Sequence, residues 1–298
     1  MLESPDGRKE SMIQRVVRQI RTAGSDTGIV VATGEAQKEY VTAQLGRSID
    51  VVTEPCRRDT FPAIALACAY LDSHGTDPSE PVIVMPCDTF ADDEYFHTVC
   101  RMADAVEANA ADLVLMGITP TYPSEKYGYI VPTERAHSDG DAIPVERFTE
   151  KPDTATAESL LAAGALWNGG VFAFRLGYLM NIVAQYMPGK SFSQIHDDYT
   201  LFPKISFDYE VVEKADSVAV IPYTGEWRDL GTWNTLTEKL PAFTEGQARL
   251  FQCDNTHVVN ELGIPVIGLG LKDLVIVVSP EGILVSDKNS SEQLKSLL

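Results

Sequence analysis

No apolar run in this 298-residue chain approaches the length of a membrane span, which excludes a spanning helix. The first residues hold no apolar stretch of the kind that opens a secretory signal, so none is expected. Cysteine is sparse and odd in number (Cys56, Cys68, Cys87, Cys100 and Cys253), and no two form a CxxC pair. A disulfide framework is therefore not expected, and the pattern reads as reduced thiols in a cytoplasm. The five histidines are scattered without zinc spacing, and no segment is of low complexity. Positive charge is also scarce: 24 Lys and Arg stand against 43 Asp and Glu, a formal net charge of −19. Such a surface repels nucleic acid. It would repel an anionic metabolite too, unless a few cations or a metal gather it locally.

What is present is enough chain for a large core and more than one domain. The opening, MLESPDGRKE, places four turn formers together (Ser4, Pro5, Asp6, Gly7) ahead of an amphipathic helix starting near Ser11. From residue 28 short β-rich runs alternate with helical stretches. GIVVAT, SIDVVTEP, PVIVMPCD and DLVLMGITP are strands, with helices between them that include about 59–72. This alternation predicts right-handed crossovers, hence an α/β fold with a mostly parallel, Rossmann-like sheet flanked by helices. Ligands in such sheets lie at the carboxyl ends of strands.

Farther on, YGYIVP, IPVERFTEKP and LWNGGVFAFR are strands separated by loops and one helix at about 154–163, an extension of mixed character. SVAVIPY is another strand. Residues 251–288 then read as short apolar β runs spaced by turns, a small β domain that suggests stacked β-helical coils.

Several residues at strand ends could carry chemistry. Asp88 ends PVIVMPCD, a place that suits a metal ligand, and Asp92 and Asp93 are better placed than Asp88 to cap the following helix. Asp229, in GEWRDLGTW, is a second acid after a strand; it could instead cap the helix from Thr232. Two carboxylates at two strand ends could share one Mg²⁺, which takes waters and phosphate oxygens as its other ligands. Glu150 and Lys151 end RFTEKP, where Lys is a point charge for phosphate and Glu an acceptor for sugar hydroxyls, unless they form only a surface ion pair. In LWNGGVF, Asn168 can both donate to and accept from a hydroxyl, and glycines within a strand mark either close approach to a ligand or a bulge. Gly128 sits similarly between Tyr127 and Tyr129. In TEPCRRDTFP, the Glu54 carboxylate matches the two adjacent donors on guanine's Watson–Crick edge, which adenine lacks. Arg57 and Arg58 precede a helix N-terminus, where phosphate is favoured, while Asp59 or Thr60 would cap an ordinary strand–helix turn.

Taken in order, EPCRRDTFPAIALA, PVIVMPCD, GITPTYPSEKYGYI, VERFTEKPD, LWNGGVFAF, FDYEVVEK and WRDLGTW resemble the bacterial mannose-1-phosphate guanylyltransferases, a branch of the sugar nucleotidyltransferases. The segment NTHVVNELGIPVIGLGLKDLVIVVSPEGILVSDK is similar to the small β-helical domain that ends them. The resemblance implies a nucleotidyltransferase domain over 1–245 and a β-helical domain over 246–298. It implies transfer of GMP from GTP to α-D-mannose 1-phosphate, giving GDP-mannose and pyrophosphate, with Mg²⁺ held by Asp88 and Asp229. Glu54, Pro55, Arg58, Asp59 and Thr60 would meet the nucleotide. Gly128, Tyr129, Glu150, Asn168, Gly169 and Asp208 would line the sugar, and Lys151 would meet its phosphate. It implies no nucleic-acid or membrane partner, and a homodimer is compatible with it.

Two departures from the family pattern stand out. Asp59 occupies a position where the family usually has Asn. The Gly-rich G-G-x-G-T-R-x-x-P-L-S loop, whose backbone would cradle a triphosphate, is also missing from the sequence given, so weak or absent guanylyltransferase activity is expected of it. A sugar-phosphate or nucleotide-binding homologue without catalysis, or an enzyme for another hexose 1-phosphate, are the competing expectations.

Overall fold

The structure is a computed structural model. It describes residues 2–4, 7–24, 27–133, 142–230, 232–240 and 242–296, apart from the side chains of Leu2, Glu3, Asp229, Glu292, Lys295 and Ser296. The chain opens with a small hairpin in which β1 (Leu2–Glu3) pairs antiparallel with β2 (Lys9–Glu10). Gly7, at φ 78°, makes the turn and donates its N–H to the Ser4 carbonyl at 2.9 Å. The expected turn is therefore flanked by a two-residue ladder; Pro5 and Asp6 lie outside the described residues.

Next come α1 (Met12–Ala23), β3 (Val30–Gly34), α2 (Lys38–Leu45), β4 (Asp50–Glu54), α3 (Thr60–Ser73), β5 (Pro81–Val84), β6 (Thr89–Ala91), α4 (Asp93–Glu107) and β7 (Leu113–Ile118). Local chemistry sets their limits. Asp59 caps α3, its Oδ1 accepting from the Thr60 N–H at 2.8 Å, and Gly75 at φ 83° releases the chain beyond it. Asp92 caps α4 by accepting from the Tyr95 N–H at 3.2 Å. Tyr95, Val99, Met102 and Val106, spaced three and four apart, bury one face of that helix.

The chain continues through β8 (Tyr129–Pro132), β9 (Ile143–Thr149), α5 (Thr154–Ala162), β10 (Leu166–Arg175), α6 (Leu176–Tyr186), α7 (Phe192–Asp197), α8 (Phe207–Glu210), β11 (Val218–Tyr223), β12 (Trp227–Asp229) and α9 (Trp233–Thr237). The last strands are β13 (Thr244–Glu245), β14 (Ala248–Phe251), β15 (His257–Asn260), β16 (Val266–Leu269), β17 (Leu274–Ser279) and β18 (Gly282–Asp287). The β-rich region thus begins about seven residues before the run read from sequence, within PAFTEGQARLFQ.

The chain divides into two compact units. The larger, Ile13–Cys87 with Ala91–Trp227, is built on a sheet of order β5–β10–β7–β11–β9–β8. Alternate residues of the fully buried β7 feed two cores on its two faces. Leu113 and Leu115 join one with Phe61, Phe174 and Val220, while Val114 and Met116 join the other with Tyr95, Met102 and Ile221. This sheet is mixed, which corrects the expectation of a mostly parallel one. Among the described residues only β7 and β11 pair in parallel within it, and β3 and β4 form a separate parallel pair. The reason is β10, which enters antiparallel between β5 and β7 and also pairs with β8. Alternation of strands and helices along a chain does not reveal a later strand inserted between two earlier ones.

The smaller unit comprises Met1–Met12, Asp88–Phe90 and Arg228–Leu298. In it β13, β15 and β17 pair in parallel, β14 pairs in parallel with β16, and β18 closes antiparallel on β17. Three of these pairings share one offset: Ala248 faces Val266, Asp254 faces Lys272 and His257 faces Val275, each eighteen residues apart. The left-handed backbone positions repeat at the same interval, Gln252 with Gly270 and Asn255 with Asp273. Asn255 Nδ2 donates to Asp273 Oδ1 at 2.7 Å, joining equivalent turns of adjacent layers. No helix among the described residues is long and apolar enough to cross a membrane, and all five cysteines are free thiols.

Candidate active site

In the larger unit, the ends of β9 and β10 and the start of α8 bring together five residues singled out from sequence. Gly128 precedes β8, and its carbonyl accepts from the Asn168 N–H at 2.8 Å. A side chain there would displace its neighbours: a Cβ at 128 would run into Glu150 Oε2 and lie 2.8 Å from Phe148 Cζ. Asn168, buried at the irregularity where the β10–β7 register shifts, is held from both sides. Its Nδ2 donates to Asp208 Oδ1 at 2.6 Å, and its Oδ1 accepts from the Gly170 N–H at 3.1 Å. Gly170 takes φ 69°, so the second glycine of NGG is required by conformation. Gly169 is tightly packed, since a Cβ there would approach Ile118 Cγ1 to 3.1 Å.

Glu150 is the electrostatic centre of this group. Its side chain is 6% exposed, with Lys151 Nζ 3.2 Å from Oε1. Oε2 is buried and has no hydrogen-bond partner, an expensive state for a carboxylate oxygen and one that a hydroxyl donor would relieve. Burial first, then the nearby charge of Asp208, raise its pKa above the ordinary carboxylate value. Asp208 is raised as well, mainly by burial, against the opposing hydrogen bond from Asn168 and the charge of Lys151. Burial works against the Lys151 ammonium, yet its hydrogen bond to Glu150 and the charges of Glu150 and Asp208 prevail and raise its pKa. The Lys151 backbone sits at φ 44°, a left-handed conformation that is costly for a residue with a side chain.

Tyr129 differs from these neighbours. Its ring is fully buried, and its hydroxyl accepts from the Ser124 N–H at 2.7 Å and donates to the Ser124 carbonyl at 3.0 Å. It anchors the preceding loop and presents only backbone to the group around Gly128.

The residues matched to the nucleotide lie along the β4–α3 junction. Glu54 Oε2 accepts from the Tyr199 hydroxyl at 2.9 Å. Burial, followed by this bond and the charge of Glu54, holds the phenol firmly protonated as a donor. Pro55 is exposed. Arg58 Nε donates to the Phe202 carbonyl at 2.9 Å, and Thr60 Oγ1 accepts from the Phe207 N–H at 2.8 Å. The stretch 199–207 therefore supports both groups: it fixes Glu54, Arg58 and Thr60, then leads into Asp208, whose pKa also feels the charge of Asp59. Asp59, at φ 71°, is committed as the α3 cap. Tyr199 was not reached from sequence, because a lone Tyr in HDDYTLFP carries no local signature.

The two proposed metal-binding acids fall in the smaller unit. Asp88, exposed, runs into β6, which pairs with β12, and the Leu230 N–H donates to the Asp88 carbonyl at 3.3 Å. This places the backbones of Asp88 and Asp229 on adjacent strands. Asp92 caps α4, and Thr232 caps α9 by accepting from the Thr235 N–H at 3.3 Å. The Asp229 side chain lies outside the described residues. No group of three or more His, Cys, Asp or Glu suited to a metal occurs among the described residues. Mg²⁺ is a hard ion that often takes only one or two protein oxygens beside water and phosphate.

Comparison with known proteins gives consistent results. Residues 5–246 match the family model described as Nucleotidyl transferase. The chain is 29% identical over 319 residues to a mannose-1-phosphate guanylyltransferase of Escherichia coli K12, covering 97% of this chain and 66% of the relative. It is 30% identical over 318 residues to one from Klebsiella pneumoniae, covering 96% and 66%. It thus spans just under two thirds of the length of these relatives. Among solved structures, a Thermus thermophilus protein titled mannose-1-phosphate geranyltransferase superposes with a TM-score of 0.76 at 27% identity, covering 98% of this chain and 89% of the other.

Proposed function

The chain belongs to the nucleotidyl transferase family, and from that premise we propose that it is a mannose-1-phosphate guanylyltransferase, moving GMP from GTP to α-D-mannose 1-phosphate to form GDP-mannose and pyrophosphate. One observation carries the reading. Gly128, Glu150, Lys151, Asn168 and Asp208 converge around a buried carboxylate oxygen that lacks a donor, with an ammonium beside it. A sugar hydroxyl supplies the missing donor to Glu150 Oε2, and Lys151 Nζ faces the phosphate. The names of the relatives support the choice of sugar and nucleotide.

In the reaction an oxygen of the sugar phosphate attacks the α-phosphorus of GTP. The bond from that phosphorus to the bridging oxygen breaks, and its electron pair leaves with pyrophosphate. No covalent enzyme intermediate is needed, so binding and electrostatics supply the rate. Lys151 offsets the charge of the attacking phosphate. Glu54, steadied by Tyr199, accepts from the guanine N1–H and N2 amino groups, while Pro55, Arg58, Asp59 and Thr60 border the nucleotide. Asp88 and Asp229 would hold Mg²⁺, which when bound offsets charge on the α-phosphate and the departing pyrophosphate.

The same reading makes 246–298 a β-helical domain, supported by the eighteen-residue layer offset and the parallel ladders. It places the protein in the cytoplasm, in keeping with five free thiols. The homodimer compatible with the family would cover the exposed Phe251, Ile267 and Leu269 on β14 and β16.

Titration calorimetry with mannose 1-phosphate and with GTP, together with chromatographic assay for GDP-mannose, tests the proposal. Formation of GDP-mannose, and faster than the product from glucose 1-phosphate, is expected. Binding of the sugar phosphate without turnover would assign a binding homologue. Preference for glucose 1-phosphate would change the sugar.

A further inference from the structure

The smaller unit contains a cavity of about 340 Å³ between α9 with the residues just beyond it and the turns of the β layers. Lys288 and His257, at 4% and 6% exposure, form buried walls of it beside Thr237. Lys288 has three donors and one hydrogen bond, from Nζ to Asn255 Oδ1 at 2.7 Å. Ammonium groups are rarely taken out of water with so few acceptors. His257 adds a buried Nδ1 without a partner. Its ring stacks obliquely on Phe243, with centroids 4.6 Å apart, and Phe243, at 57% exposure, forms the apolar lip.

We infer that this cavity is a second binding site, for a small organic monocarboxylate with a flat apolar body, whose acid group meets Lys288 and whose body lies against Phe243. Charge bookkeeping selects one negative charge over two. Asp273 and Glu238 both act electrostatically on Lys288, and each is already engaged: Asp273 Oδ1 accepts from Asn255, and Glu238 Oε2 accepts from Arg228 Nη1 at 2.5 Å. With those two acids and two cations in balance, a monoanion fills the open donors of Lys288, whereas a phosphate dianion also meets the two carboxylates. Burial depresses the Lys288 pKa, against the charges of Asp273 and Glu238, and holds His257 neutral. No residue of this cavity belongs to the proposed active site, so the inference stands or falls independently of the proposed reaction.

The test is titration of the intact chain with benzoate, followed by the His257 Cε1–H resonance, assigned with His257→Gln. Benzamide and inorganic phosphate are the comparison probes. A saturable shift with a dissociation constant in the millimolar range is expected. Lys288→Met should weaken it about tenfold or more and Phe243→Ala a few-fold, and benzamide and phosphate should each bind about tenfold less tightly than benzoate. Should Lys288→Met fail to fold, the benzamide comparison and Phe243→Ala, an exposed position, decide the matter. The proposal is overturned by the absence of a saturable shift, by benzamide or phosphate matching benzoate, or by unchanged binding in a folded Lys288→Met protein.

Discussion

Two polar clusters, one in each unit, are buried for opposite purposes. Around Glu150 and Asp208 burial acts on acids, and it pushes their pKa values up. Around His257 and Lys288 it acts on bases, and it pushes theirs down. Desolvation penalises whichever form is charged, so a single physical cause moves the two clusters in opposite directions along the pH axis. The first cluster has its own counter-ion, since Lys151 answers Glu150 and Asp208. The second has a cation with one amide contact and carboxylates that are engaged elsewhere. In the proposed readings Glu150 receives a neutral donor beside an anion, and Lys288 an anion alone.

The harshest way to break this contrast is Gly128→Ala. The added methyl would force Glu150 Oε2 and Phe148 aside. A stability loss of about 1–3 kcal/mol from overpacking is expected, with mannose 1-phosphate affinity down about a hundredfold (~2.7 kcal/mol). Denaturant titration and calorimetry would reveal both, and near-wild-type affinity would remove Glu150 from the proposed site. Next comes Lys151→Met, expected to weaken mannose 1-phosphate binding about tenfold. Its side chain is 55% exposed, so little change in global stability should accompany that loss.

The pH response separates the clusters directly. His257 titrates at about 4 in the folded chain, against about 6.5 when unfolded. The unfolded state therefore binds more protons between those values. Stability should fall as pH drops through that window, by at most about 1.4 kcal/mol per pH unit. His257→Gln should flatten the slope, and an unaltered acid limb would contradict the assigned burial. Glu150 carries the opposite sign. Its folded pKa is raised, so the folded state keeps its proton longer, and stability declines as pH climbs from the ordinary carboxylate value to the raised one. Glu150→Gln should gain thermal stability relative to wild type above that window, and the gain should vanish in acid. The smallest effect is expected from Tyr199→Phe, which removes the hydroxyl on Glu54. A few-fold loss of preference for GDP over IDP, which lacks the N2 amino group, is expected by calorimetry, and equal loss for both nucleotides would make the bond merely structural.

Much of the local structure was legible in the residues. LWNGGVFAFR is β10 from first residue to last, and Asp92 rather than Asp88 caps α4 as its position suggests. Gly128, Glu150, Lys151 and Asn168 were named individually, since glycines inside strands and charged residues at strand ends are local signals, whereas Asp208 came only through the family resemblance. Their convergence was not legible. It depends on β10 lying antiparallel between β5 and β7, a choice made by packing across the sheet rather than by any stretch of chain. Tyr199 was invisible for the same reason, standing 145 residues from the Glu54 it contacts. Lys288 and His257 carry no local signature, and only the stacking of the layers brings them to one cavity.

The common eighteen-residue offset of the smaller unit gives that region a grammar of its own. A deletion there is judged by its length more than by its composition. Excising one full layer would bring Gln252-type and Asn255-type turn positions back into register, whereas excising one residue fewer would push side chains meant for the interior into solvent and ask ordinary residues to take left-handed turns. Insertions and losses in this part of the chain should therefore be tolerated in quanta.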